Sequence, residues 1–126
     1  MARCPDSNLI GHAVLPDYEF RINGRGVATI VPKPGSSVHG LVWSVTNADV
    51  HALDRFEGVS LSLYERTSMV VQGVDGSKYR AYLYVAADDS RGEPRPGYLE
   101  RIVAAARAHG FPTDYVQVLE SWRRTD

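Results

Sequence analysis

Two runs of alternating apolar and polar residues constrain the fold of this chain more than any other feature. They span Leu63 to Gln72 and Lys78 to Ala86, and Val74-Asp75-Gly76-Ser77 lies between them. A period of two is typical of strands with one buried face, and Asp-Gly between two such runs is typical of a β-hairpin. Successive side chains of a strand point to opposite faces, so Tyr82 is predicted to point away from Leu83.

Three further segments are predicted strands. Ala13 to Phe20 is apolar, but Pro16 within it favours an edge strand or a bent one. Val27 to Val31 is a candidate buried strand, and we expect it to end at Pro32-Lys33-Pro34-Gly35. Val38 to Trp43 is a second apolar run of strand length.

Three helices are predicted. The first begins at Thr46, because Asp49 follows at the capping-box spacing. The second runs from Tyr98 to His109 and ends at Gly110. Pro112 opens the third, which carries Tyr115, Val118, Leu119 and Trp122 at helical spacing. Its aromatics, Tyr115 and Trp122, are predicted to be core or docking residues. Strands with helices inserted and appended indicate an α+β fold with a mixed or barrel-like sheet.

Length and composition narrow the class of protein. The 126 residues fit one domain, 1–126, with a real core. The net charge of −1 provides no general attraction to nucleic acid or to an anionic membrane. Cys4 is the only cysteine, which indicates a reduced, cytoplasmic protein. No apolar run approaches the ~20 residues that span a bilayer.

Most site motifs are missing from the sequence. The four histidines are scattered, so we predict no metal site: His12, His39, His51 and His109. There is no GxSxG nucleophile elbow and no GxxxxGK[ST] phosphate loop. We therefore expect no cofactor and no nucleic-acid partner.

Glu57 is the candidate catalytic residue, within Asp54-Arg55-Phe56-Glu57-Gly58. Val50, Leu53 and Glu57 recur at helical spacing, which puts the acid on the inward stripe of the first helix. A partly desolvated carboxyl has a raised pKa suited to proton transfer. The alternative is a solvated residue in a last helical turn. Asp54 is expected to pair with Arg55 or to cap a neighbouring turn.

Tyr64, Tyr82 and Tyr98 are the candidate substrate-binding residues. They offer hydrogen bonds and aromatic walls to a small polar substrate. A single carboxyl near them can take a proton from an attacking amine and return one to a leaving amine. The alternative for each tyrosine is packing in a strand or helix.

Several segments together resemble one family, and they cover most of the chain: Gly26 to Pro32, Val38 to Trp43, Leu53 to Val59 with Tyr64, Ala81 to Leu83, and Pro96 to Tyr98. That family is the γ-glutamylcyclotransferase-like, or AIG2-like, family. The Glu57-Gly58 pair followed by Tyr64 is the most specific part of the resemblance.

The resemblance implies a small mixed β-barrel flanked by helices. It implies intramolecular aminolysis of a γ-glutamyl amine or amino acid, giving 5-oxoproline and a free amine. Glu57 corresponds to the family's acid/base. Tyr64, Tyr82 and Tyr98 correspond to its pocket tyrosines.

One departure from the family's pattern bears on activity. The family begins with a strand and a Tyr-Gly-Ser-Asn loop whose backbone amides hold the oxyanion, and this sequence contains no such tetrapeptide. We expect the N-terminus to lack that element, by truncation, a misplaced start or divergence. Losing one oxyanion donor typically costs about 10²–10³ in turnover. The alternative function is a non-catalytic small-molecule binding or regulatory module. A missing strand would also expose a sheet edge, which predicts a homodimer.

Overall fold

A computed structural model of the chain describes residues 8–56 and 64–123. Within these residues lie four strands and three helices: β1 (Asn8–Ile22), β2 (Ala28–Ser44), α1 (Asn47–Phe56), β3 (Tyr64–Gly73), β4 (Lys78–Ala86), α2 (Tyr98–Ala108) and α3 (Thr113–Glu120). The described strands form one sheet in the order β2-β1-β3-β4. β3 pairs antiparallel with both β1 and β4. The α+β class is confirmed, and these four strands make an open antiparallel sheet rather than a closed barrel.

The two long strands correct the sequence prediction. β1 lies between β2 and β3, so the edge position suggested by Pro16 is wrong. The backbone leaves extended geometry at the next residue, Asp17, with φ of +65°. β2 continues through Pro32 and Pro34, where an end was predicted. Because β2 is an outer strand of the described sheet, a proline can lack its N–H there without breaking a ladder bond.

The predicted hairpin is confirmed. Its strands pair from Tyr64 opposite Ala86 to Gln72 opposite Lys78. The turn is closed by a 2.7 Å hydrogen bond from the Gly73 N–H to the Ser77 carbonyl. Leu63, the predicted first residue of the first hairpin strand, lies outside the described residues.

The start of α1 is also as predicted. The Thr46 hydroxyl accepts a hydrogen bond from the Asp49 N–H at 3.1 Å, and the Asp49 carboxylate accepts one from the Thr46 N–H at 3.1 Å. This reciprocal pair is a capping box, which satisfies two backbone donors of the first turn. It fixes the residue at which α1 begins.

Two compact units divide the described chain. One contains residues 8–15, 40–56 and 64–87, and the other contains residues 16–39 and 88–123. The first unit holds α1 and the β3–β4 hairpin. The second holds the turn between β1 and β2, the loop after β4, and the last two helices. The single domain therefore stays a prediction.

The second unit has its core between α2 and α3. Its buried members are Leu99, Val103, Ala106, Val116 and Leu119. Tyr115 and Trp122 pack against that core, as predicted. Val118, on the same helix, is half exposed.

The loop that follows β4 is tied to the turn between β1 and β2, within the second unit. The Asn23 side-chain amide donates to the Asp88 carbonyl at 2.9 Å, and the Gly92 N–H donates to the Ile22 carbonyl at 2.9 Å. Asn23 is completely buried, and a Cβ on Gly92 would overlap its carbonyl. This close approach requires glycine at position 92 and leads the chain into α2.

Candidate active site

One face of the hairpin carries the polar and aromatic residues of the candidate site. Arg66 lies opposite Tyr84, and Ser68 lies opposite Tyr82. Because side chains alternate along a strand, Tyr64, Arg66, Tyr84 and Tyr82 share this face. Tyr64 is four positions from Ser68, a separation of about 13 Å along the strand. Arg66 and Tyr84 therefore lie between the two predicted tyrosines.

Asp54 of α1 connects the helix to both strands of the hairpin. The Tyr84 hydroxyl donates to Asp54 Oδ1 at 2.6 Å. The Arg66 guanidinium donates through Nη1 to Asp54 Oδ2 at 2.7 Å. Each carboxylate oxygen thus receives a donor from a different strand. The predicted pairing of Asp54 with Arg55 is wrong. The partners of Asp54 are Arg66 and Tyr84, which are distant in the sequence and are brought to it by the fold.

The protonation of Tyr84 follows from this contact. Burial raises the pKa of Tyr84, and the hydrogen bond to Asp54 and the charge of that carboxylate raise it further. The Arg66 cation opposes this effect, but more weakly. The hydroxyl therefore remains a hydrogen-bond donor throughout the neutral range.

Tyr82 lies at the far end of the same face. The Arg66 guanidinium carbon is 4.8 Å from the centroid of the Tyr82 ring, within the range of a cation–π contact. Tyr82 is 59% exposed, so it is not packed into a core. Its predicted role in binding substrate stays a prediction, and in this structure its ring supports Arg66.

A cleft of about 610 Å³ opens beside Asp54. The described residues that line it are Asp54, Tyr64, Glu65, Arg66, Val85, Ala86 and Ala87. They come from the end of α1, the start of β3 and the end of β4. Tyr64 thus lies in the cleft wall. Glu57 lies outside the described residues, in the segment 57–63 that connects α1 to β3.

Tyr98 belongs to the second unit, unlike Tyr64 and Tyr82. It is the first residue of α2, and its hydroxyl accepts a 2.9 Å hydrogen bond from the Ala28 N–H. This bond connects the start of α2 to the start of β2. A phenol that accepts one hydrogen bond still carries a proton to donate. The binding role of Tyr98 stays a prediction.

Arg66 and Tyr84 were not among the site residues predicted from the sequence. The hairpin register puts Arg66 directly opposite Tyr84, because the turn has three residues, 74–76, between Gly73 and Ser77. The four-residue turn predicted at 74–77 would instead put Arg66 opposite Val85. This cross-strand pair places a cation beside a phenol on one face of the hairpin, and neither of them has a carboxylate opposite it on the other strand. The carboxylate that accepts hydrogen bonds from both residues is Asp54, in the preceding helix α1.

Within residues 8–56 and 64–123, no group of three or more His, Cys, Asp or Glu side chains is arranged to hold a metal ion. None of the described helices is long and apolar enough to cross a membrane.

Comparison with solved structures defines the class of this fold. A structure described as a gamma-glutamyl cyclotransferase matches with a TM-score of 0.89 and 25% identity, over 99% of this chain and 80% of that chain. YkqA from Bacillus subtilis matches with a TM-score of 0.80 over 90% of this chain and 44% of its own; at 18% identity it shares the fold alone. The chain therefore has the γ-glutamylcyclotransferase fold.

Sequence comparison gives the family. Residues 37–119, about two thirds of the chain, match the model of the AIG2-like family, and the chain belongs to that family. Gamma-glutamylcyclotransferase of Homo sapiens is 29% identical over 101 residues, and that of Bos taurus is 30% identical over 101 residues. These alignments cover 80% of this chain and 54% of each relative. The chain spans about half the length of the curated relatives it matches.

Proposed function

We propose that this chain is a cofactor-free γ-glutamylcyclotransferase that converts a small γ-glutamyl amine or amino acid to 5-oxoproline and a free amine. Membership of the AIG2-like family and the names of the relatives support the class of reaction. One structural observation supports the site. The cleft is lined by the end of α1 and the start of β3, and the seven residues that connect these two elements include Glu57.

Glu57 is proposed as the general acid/base. Its carboxylate takes a proton from the substrate's α-ammonium group, and the freed amine attacks the γ-carbonyl carbon. The new C–N bond closes the five-membered ring. As the bond to the leaving amine breaks, the protonated Glu57 returns the proton to that amine. The ring nitrogen then gives up its second proton through Glu57 as the lactam forms, and this proton leaves with the released amine as its ammonium ion. One carboxyl thus serves each of these transfers, with no net change in the enzyme.

The tyrosines are proposed to hold the substrate. Tyr64 lines the cleft and offers a hydroxyl and an aromatic wall. Tyr82 is exposed on the same face of the hairpin, and Tyr98 is proposed to donate its remaining proton. Tyr64→Phe should lower kcat/KM. Tyr79→Phe is the matched control, because alternation puts Tyr79 on the opposite face of β4.

A second function is a non-catalytic small-molecule binding or regulatory module. It is motivated by the absence from residues 1–126 of a Tyr-Gly-Ser-Asn tetrapeptide, the loop that the resemblance implies as the source of oxyanion donors. Ligand protection against thermal unfolding without turnover would support the module.

Product formation tests the proposal. The 126-residue chain is incubated with γ-glutamyl-alanine and γ-glutamyl-ethylamide, and 5-oxoproline is quantified. The proposal predicts 5-oxoproline and free amine in equal amounts. The same assay on protein from the gene with any in-frame upstream codons separates an inactive fragment from a non-catalytic module.

A further inference from the structure

Arg66 lines the cleft, and the proposed reaction gives it no role. It is the only cation among the described residues that line the cleft. One third of its side-chain surface remains accessible to solvent. Because Asp54 and Glu65 also line the cleft, what Arg66 offers a ligand is its guanidinium donors rather than a net positive charge.

The guanidinium group of Arg66 is held from two directions. Asp54 accepts one of its N–H groups at 2.7 Å, and the Tyr82 ring lies against it at 4.8 Å. A guanidinium has five N–H donors in a planar fork, so the bond to Nη1 leaves others for a ligand. Because its orientation is already fixed, binding a ligand costs Arg66 little side-chain entropy.

Asp54 balances the charge of Arg66 but does not occupy both arms of its guanidinium fork. The hydrogen bond from Arg66 goes to Oδ2, whereas Oδ1 accepts the Tyr84 hydroxyl. Glu65 also lines the cleft, but alternation along β3 points its side chain to the other face of the hairpin. The guanidinium therefore keeps donors suited to a second carboxylate.

We propose that Arg66 binds the carboxylate of an amino-acid leaving group, so that the enzyme prefers γ-glutamyl amino acids to γ-glutamyl amines. This inference rests on the proposed cyclotransferase function. A guanidinium forms short, charge-assisted hydrogen bonds with a carboxylate and offers a matching fork. An amine leaving group has no such acceptor and gains nothing from Arg66.

Two substrates isolate this contact, because ethylamine is alanine without its carboxylate. The measured quantity is kcat/KM for γ-glutamyl-alanine divided by kcat/KM for γ-glutamyl-ethylamide. A ratio within one variant is independent of the fraction of protein that folds. Arg66→Gln should lower this ratio about 10- to 100-fold, the range expected for a hydrogen bond to a charged group.

Two further variants sharpen the test. Arg66→Lys keeps the charge but loses the planar fork, so its ratio should fall between those of wild type and Arg66→Gln. Arg80→Gln is the matched control, because Arg80 is an exposed arginine on the same face of the hairpin and does not line the cleft. Its ratio should equal that of wild type. A ratio that Arg66→Gln leaves unchanged overturns the inference, even if 5-oxoproline is formed.

A binding measurement separates this inference from the proposed reaction. In a Glu57→Gln background the same two compounds are titrated by calorimetry, with and without Arg66→Gln. The inference predicts tighter binding of γ-glutamyl-alanine, with the difference abolished by Arg66→Gln. Equal dissociation constants, or no binding of either compound, overturn it. Absence of 5-oxoproline with the predicted binding pattern would instead overturn the reaction and leave the role of Arg66 standing.

Discussion

The Tyr84 hydroxyl donates a 2.6 Å hydrogen bond to Asp54, thirty residues earlier in the chain. The same carboxylate accepts from Arg66, the cross-strand partner of Tyr84. Three elements, α1, β3 and β4, therefore meet at one carboxyl group. That group lies in the last turn of α1, three residues before the candidate acid/base Glu57. The hydrogen bonds to this carboxyl group fix the positions of Arg66 and Tyr84 beside the cleft.

The free energy of unfolding should fall at alkaline pH in the wild-type protein, and Tyr84→Phe should remove the part of that fall that Tyr84 causes. The pKa of Tyr84 is raised in the folded protein, whereas an unfolded tyrosine ionises near pH 10. Above that pH the unfolded state loses the proton first, so the contribution to the free energy of unfolding is present below about pH 10 and declines above it. Urea unfolding at pH 8 and pH 11 measures this, with Tyr79→Phe as the control. Identical pH profiles for wild type and Tyr84→Phe would contradict the prediction.

Asp54 and Arg66 should show a measurable coupling free energy. The ion pair is partly exposed, with side-chain exposures of 25% for Asp54 and 33% for Arg66, so solvent screens it. We expect a coupling of about 1 kcal/mol, at the upper end for pairs near the surface. The double-mutant cycle uses Asp54→Ala, Arg66→Ala and the combined variant, with denaturant unfolding as the readout. Strictly additive effects would show that the contact contributes no stability.

Gly92→Ala should destabilise the second unit. A Cβ at position 92 would overlap the backbone carbonyl of Asn23, which is completely buried and cannot move aside cheaply. Overpacking of this kind typically costs about 1–3 kcal/mol. Gly40→Ala is the control, because nothing lies within 4 Å of a Cβ there. Thermal unfolding of the two variants measures the difference, and equal stabilities would count against the docked loop.

Tyr98→Phe should lower stability by about 1 kcal/mol, because the Ala28 N–H loses its acceptor. If Tyr98 also binds substrate, kcat/KM per folded molecule falls as well. Unfolding free energies and steady-state kinetics on the same preparation separate the two effects. Unchanged stability would show that water replaces the hydroxyl without cost.

The local signals in the sequence predicted most of the elements. The hairpin followed from its alternation and its Asp-Gly turn, and the start of α1 followed from Thr46 and Asp49. These features succeed because the determining contacts lie within a few residues. The predicted end of the strand at Pro32 and Pro34 was wrong, because the effect of a proline depends on whether the strand is at the edge of the sheet. That position is a tertiary property.

The candidate site was predictable only in part. Tyr64 was a candidate from the residues and corresponds to a family pocket tyrosine through the resemblance, and the structure puts it in the cleft wall. Asp54 was noticed but given a local partner, whereas its partners lie 12 and 30 residues away. Arg66 and Tyr84 carry no motif of their own. Only the strand register and the packing of α1 make them neighbours.

The turnover of Glu57→Gln tests the central claim most directly. Glutamine keeps the shape of the side chain but cannot transfer a proton, and general acid–base catalysis typically contributes about 10²–10⁴ in rate. We predict 5-oxoproline formation from γ-glutamyl-alanine by the wild-type protein. Glu57→Gln should lower it about 100- to 10,000-fold with unchanged thermal unfolding, and the exposed Glu100→Gln control should not. No 5-oxoproline from the wild-type protein, or wild-type turnover by Glu57→Gln, would contradict the account.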